Sequence, residues 1–199
     1  DLGFNKENVL EVRLSMGAAL KKSELFKSRL LESPDISNVS FSEFKFVSDE
    51  SRSFIGYNYR GQHYYMSWLG VSTDFPELMD IKMIAGRNFR PSDEAPDNTQ
   101  AVCILSETAA REIASRFTTE ELGDISEMVG TSIMDNDVPV QIVGIFENVH
   151  YESLYKELRP MGLWTSAKDH YRRSVPERYS YIKIAGGNPQ SAIEHIRKV

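Results

Sequence analysis

The side chains able to do chemistry are scattered along this chain of 199 residues. Its histidines stand at His63, His150, His170 and His195, with no H-x3-H pair and none at a metal-ligand spacing from the single cysteine, Cys103. Asp135 and Asp137 offer two carboxylates to a cation, but the further acids and the glycine of a calcium loop are missing, so they read as a polar hairpin turn. Asp93, Glu94 and Asp97 read as a solvated linker. Cys103 lies within the apolar run 101–105, where a thiol acts as a small core side chain. There is no G-x-S-x-G elbow. Gly186-Gly187-Asn188-Pro189 lacks the spacing of a dinucleotide loop and reads as a strand-to-helix turn. Glu120 and Glu121 fit a helix N-terminus, where the dipole favours carboxylates. No catalytic residue, cofactor or metal ligand is assigned, and the chain reads as non-enzymatic.

One cluster has another use. Tyr57, Tyr59, Tyr64, Tyr65 and Trp68 crowd into a single predicted hairpin. Aromatic cross-strand pairs stabilise a sheet from within. Tyrosine and tryptophan are also enriched where proteins bind one another. The five residues are therefore a candidate partner surface, with sheet core as the alternative.

The elements that must position these residues follow from periodicity. Residues 9–14 alternate as a half-buried strand, and a helical pattern with Phe26 and Leu30 on its apolar face runs on to Ser33-Pro34. Residues 36–47 return to alternation, and 54–71 form the aromatic hairpin turning near Gly61. Asp74 is expected to cap a short helix through Met79, and 81–90 to hold a strand ending at Gly86-Arg87. The proline- and acid-rich stretch 91–99 is the best linker candidate. Residues 101–105 are a strand, and Ser106 caps a helix whose inner face is Ala109, Ala110, Ile113, Ala114 and Phe117. Thr118 and Glu121 resemble a capping box. Residues 131–134 and 138–146 pair across Asp135-Asn136-Asp137, with Val138, Val140, Ile142 and Phe146 on one face. Residues 147–163 read as irregular, 179–185 as a last strand, and Asn188-Pro189 as the start of a last helix.

Composition bounds the function. A net charge of −6 and a pI near 5.3 argue against nucleic acid. Mean hydropathy is −0.38, and no run approaches the ~18 apolar residues of a membrane span. With Asp1 first and neither a basic nor an apolar leader, the chain reads as a segment of a longer protein.

A series of short phrases adds a resemblance. LGFNKENVL at 2–10, VSTDFPELMDIKMIAGRNF at 71–89, AVCILSETAAREI at 101–113 and VQIVGIFENVHYESLYKELRPMGL at 140–163 together resemble the MacB-like periplasmic core domain of ABC-transporter permeases, in the FtsX-like permease family. Gly86, Arg87 and Phe89 match its "GR-x-F" phrase and Gly144 its "VGV" strand; they have structural parts to play. Residues 118–130 depart from it, being longer than the family's short "P-x-G-K" phrase.

The resemblance implies an α+β domain of two lobes. A βαβ-rich, porter-like, membrane-near lobe would hold residues 1–90 and 160–199, with 91–159 as a smaller inserted lobe. It implies a place on the periplasmic side of the inner membrane, between the first two membrane helices of a permease. The domain would couple cytoplasmic ATP hydrolysis to export or partner engagement. Partners would be the permease's own membrane helices, an ATPase subunit or domain, and a periplasmic adaptor protein. No cofactor and no catalytic residue are implied, and the isolated domain is expected to be a monomer. The rival readings are an extracytoplasmic ligand-binding sensor domain, which needs a pocket, and a secreted hydrolase.

Overall fold

The alternating run at the start forms β1 (Val9–Arg13), the amphipathic run after it α1 (Met16–Leu30), and the next alternation β2 (Ile36–Ser42). The computed structural model describes residues 2–14, 16–47, 54–95, 100–136, 138–150, 157–165, 179–186 and 189–199, without the side chains of 16–22 and 54. The late elements β10 (Tyr179–Ile184) and α4 (Pro189–Ile196) return to the first ones. β10 lies antiparallel between β1 and β2, giving a three-stranded sheet in the order β1-β10-β2. This is a split βαβ unit. One face of it buries Val39, Phe41, Ile182 and Ile184 with Leu30 of α1 and Ala192 of α4. The first strand and the last helix both pack into this unit. The expected start of the last helix at Asn188 lies outside what is described.

The remaining strands are β3 (Phe54–Tyr59), β4 (Gln62–Gly70), β5 (Met83–Gly86), β6 (Ala101–Ser106), β7 (Ser132–Asp135), β8 (Val138–Phe146) and β9 (Met161–Thr165). They form one mixed sheet, β5-β8-β6-β9-β4-β3-β7, and β7 also pairs with β8. The ladder therefore closes as β8-β6-β9-β4-β3-β7-β8, with one residue pair, Asn58↔Met134, between β3 and β7. All six strands of this ring send side chains to one interior core, among them Tyr57, Met66, Cys103, Ile133, Ile142 and Trp164. Helix α3 (Glu107–Ala114) adds Ala109, Ala110 and Ile113 to it.

This pairing corrects the expected lobe boundaries. Residues 54–86 and 161–165 share a sheet with 101–146, so the sheets divide the chain after β2 and before β10, not at 90/91 and 159/160. The stretch at Pro91–Glu94 is a 3-10 turn beside β5 and β6 rather than a passage between lobes, and 96–99 lie outside the described residues. Part of the stretch read as irregular is β9, which is buried along its whole length.

Three local expectations also change. The Asp74 side chain makes no cap bond to α2 (Phe75–Leu78) and instead pairs with Lys27 of α1. The Glu121 carboxylate accepts from the Thr118 amide at 2.8 Å and its hydroxyl at 3.0 Å, but this closes a turn, not a helix. In β8 the register against β6 slips: Cys103 pairs with Ile142 and Ile104 with Gly144, so Val143 is an extra residue. A bulge of this kind reverses the alternation. Ile142 and Ile145 consequently both point into the ring, while Val143 and Phe146 face outward, which takes Phe146 off the expected face.

Ser106 does more than cap. Its hydroxyl oxygen accepts from the Ala109 amide at 3.2 Å and from the Met161 amide at 3.1 Å, joining the start of α3 to the start of β9. Ser106→Ala leaves two amides without that acceptor in a buried place, which costs about 2 kcal/mol. Urea denaturation should show a lowered midpoint at unchanged slope, and an unshifted midpoint would show that the two bonds carry no stability.

Candidate functional site

The candidate partner surface is mostly interior. Tyr57, Tyr59, Tyr64 and Trp68 are buried in the ring and Tyr65 alone is exposed, at 60%. The reason is the two-residue period of a strand. Tyr57 and Tyr59 share one face of β3, Tyr64 and Trp68 the same face of β4, and Tyr57 sits opposite Tyr64 in register. The Tyr57 and Tyr64 rings stack at 5.7 Å, and Tyr57 meets Trp68 edge-on at 5.9 Å. The polar ends are served: the Tyr64 hydroxyl donates to the Ile113 carbonyl at 3.2 Å, and Thr131 donates to the Tyr59 hydroxyl oxygen at 3.3 Å. Burial pushes the Tyr57 hydroxyl far above the ordinary tyrosine value, with the Glu112 charge adding to the effect. Tyr65, at the opposite parity, lays its ring over Gly56 across the strand pair. Position parity within the hairpin is the sequence signal that separates Tyr65 from the other four.

The residues of the matched phrases come together where β5 crosses β8. Gly86 faces Gly144 beside the bulge, and the Arg87 amide donates to the Val143 carbonyl at 2.9 Å. A Cβ on Gly144 would lie 2.3 Å from the Arg87 carbonyl oxygen, and one on Gly86, whose φ is +69°, 2.4 Å from that of Val143. Only glycine permits this approach. Arg87 then forms a two-pronged pair with Asp93, at 2.8 and 3.0 Å, and also donates to the Asn88 carbonyl. Asp93 is 5% exposed and accepts from the Arg90 amide as well. Burial alone would raise its pKa, but the Arg87 hydrogen bond, the Arg90 amide and the two guanidinium charges outweigh it and hold the carboxyl below its ordinary value. Phe89 packs beneath, in the apolar layer outside the ring.

That layer is the candidate functional site, because it is where the two sheets meet. It takes Leu69, Val102, Ile104, Val143, Phe146 and Leu163 from the outer face of the ring, and Tyr181 from β10 of the small sheet. A run of edge-on ring contacts crosses it: Phe4 to Phe46 at 5.0 Å, Phe46 to Phe75 at 5.1 Å, and Phe75 to Tyr181 at 5.2 Å. The Phe46 amide donates to the Tyr181 hydroxyl oxygen at 2.7 Å. Beside it, Ser42 of β2 bridges Val71, the Ser72 amide donates to the Phe41 carbonyl at 3.0 Å, and the Ser40 and Ser72 hydroxyls bond at 2.8 Å. Lys27 and Asp74 tie α1 to α2. This junction is the apolar layer through which the two sheets touch. It escaped sequence reading because its parts are dozens of residues apart.

Among the described residues the scattered reactive side chains stay apart. The Cys103 thiol is fully buried and its pKa is pushed up by that burial. His195 meets the Arg29 carbonyl at 2.8 Å, which ties α4 to α1. Asp135 accepts from the Asn136 side chain, as a turn residue does. Among the described residues no three His, Cys, Asp or Glu side chains converge as metal ligands. Asp97, Asp137 and His170 lie outside them.

A family model described as the MacB-like periplasmic core domain matches residues 4–199. Among solved structures, the periplasmic region of MacB from Actinobacillus actinomycetemcomitans is similar, with 13% identity and a TM-score of 0.65 over 98% of this chain and 83% of that one. The extracellular domain of the noncanonic ABC-type transporter YknZ from Gram-positive bacteria is similar too, with 12% identity and a TM-score of 0.61 over 95% and 88%. At these identities the likeness is one of fold. No curated protein sequence matches the chain.

Two measurements test the geometry. Tyr181→Phe takes the acceptor from the Phe46 amide and should cost about 1–2 kcal/mol in chemical denaturation; no loss would mean that the bond does not hold the junction. For Asp93 the folded pKa lies below the unfolded one, so its contribution is present above about pH 4 and fades as pH falls through the folded value. Asp93→Asn should cost about 3 kcal/mol at neutral pH, and the gap from the parent should narrow below about pH 4. A gap independent of pH would show that the charge on Asp93 is not what stabilises.

Proposed function

Because the chain belongs to the family of MacB-like periplasmic core domains, the extracytoplasmic part of ABC-type transporter permeases, we propose that it converts ATP-driven movement of the permease into movement outside the membrane. The observation that carries this reading is the junction: Phe46, Phe75 and Tyr181 fasten the two sheets to each other, so that a displacement entering one is carried to the other. The interior of the ring is filled by its own tyrosines, tryptophans and aliphatic side chains, which suits a mechanical body better than a ligand receptor. The reading assigns no catalytic step to the chain. ATP is hydrolysed by a separate cytoplasmic domain or subunit. The inner membrane is the location proposed, and the work done is export of a substrate or engagement of a partner such as an adaptor protein.

The test uses the intact permease with its ATPase in lipid nanodiscs. A spin label at Gln62→Cys, at the exposed start of β4 beside the hairpin turn, is paired with a second label in a membrane helix. The buried Cys103 stays in place. The label distance should change on adding ATP and hold steady with ADP. A distance indifferent to nucleotide would overturn the proposal, and one that moves only with an added small molecule would favour the sensor reading.

A further inference from the structure

The chain does not enter the small sheet directly. Residues 2–5 first lie on the outside of the large one. The His150 amide donates to the Leu2 carbonyl at 2.9 Å, and the Asn5 amide donates to the Met79 carbonyl at 2.8 Å. Gly3, at φ +74°, is pressed on the Asn148 backbone, where a Cβ would stand 2.1 Å from the carbonyl oxygen. The Phe4 ring meets Phe46 at the outer end of the aromatic run. Only then does the chain turn, with Asn8 at a φ of 56° and its carbonyl accepting from the Ile184 amide, into β1.

The docking residues are shared with α3. The Asn148 side-chain oxygen accepts from the Thr108 amide at 2.9 Å and from the Thr108 hydroxyl at 2.8 Å, in the first turn of that helix. The segment that receives residues 2–5 thus also holds the start of α3. Residues 2–5 are each only half-buried, whereas β10 is mostly buried and is paired along its length on both edges. Segments with few buried contacts open at lower free energy than the cooperative core.

We infer that residues 2–5 are a releasable strap, whose undocking from Asn148–His150 and Met79 is a separate opening that loosens the first turn of α3 before either sheet parts. The docking is a property of the contacts themselves. Its mechanical consequence rests on the permease reading: a pull arriving through the N-terminal segment reaches the large sheet and α3 ahead of the small sheet that the chain enters next.

Hydrogen exchange on the 199-residue chain tests the strap without any transporter present, so its outcome is independent of the permease reading. Gly3→Ala forces the strap off Asn148. The amides of Asn5, His150 and Thr108 should exchange roughly tenfold faster or more, while amides in the β10–β2 and β6–β8 ladders keep their protection. Phe4→Ala, a gentler change that leaves the Gly3 backbone intact, should give the same order with smaller increases. Three results would overturn the inference: unchanged exchange at Asn5 and His150 in both variants, a speeding of those two that leaves Thr108 untouched, or an equal loss of protection along the β1–β10 ladder.

Discussion

The structure turns on the buried contact between its two sheets. The Phe46 amide, just past β2, bonds to the Tyr181 hydroxyl of β10, and Phe75 closes edge-on against both rings. Each sheet has a core of its own, Leu30, Val39, Phe41 and Ile182 in one and the aromatic interior of the ring in the other. The layer around Phe46, Phe75 and Tyr181 joins the two, because it is built from the outward face of the ring and the inward face of β10, with the Ser42–Val71 bridge and the Ser40–Ser72 bond beside it. Burial lifts the Tyr181 hydroxyl far above the ordinary tyrosine value, so it stays neutral and the bond does not respond to physiological pH.

The large sheet is shaped to offer that outward face. The extra residue at Val143 turns Val143 and Phe146 toward the junction while Ile142 and Ile145 remain inside. The same kink brings β5 against β8 at Gly86 and Gly144, and Arg87 with Asp93 fixes the chain as it leaves the crossing. The phrases that mark the family are therefore parts of one device. The glycines allow a close crossing, the arginine locks it, and Phe89 fills the layer beneath.

What was legible in the sequence was local. The alternation at 9–13, the hairpin at 54–70, the Ser106 cap and the paired runs at 132–146 each carry their own signal in neighbouring residues. β9 was missed because Met161-Gly162-Leu163-Trp164-Thr165 is buried on both faces, so no polar residue marks a period. The bulge was missed because it exists only against β6, forty residues earlier by roughly any count of loop and helix between. The lobe boundaries failed for the same reason: β4 pairs in parallel with β9 and β6 with β8, and no local pattern announces a partner so distant. The aromatic hairpin was recognised as unusual, yet the alternation that hides Tyr57, Tyr59, Tyr64 and Trp68 and leaves Tyr65 outside was already present in their numbering.

The central claim is that the junction makes the two sheets one cooperative body. Nature has placed separate probes on the two sides. Both tryptophans, Trp68 and Trp164, lie in the large sheet, while the small sheet carries α1 and α4 and with them most of the helix among the described residues. Equilibrium urea unfolding followed in parallel by tryptophan fluorescence and by helical circular dichroism reads both sides in one sample. The account predicts coincident transitions with a single midpoint and slope. A helical signal lost at lower urea, with the tryptophan signal still native, would contradict it.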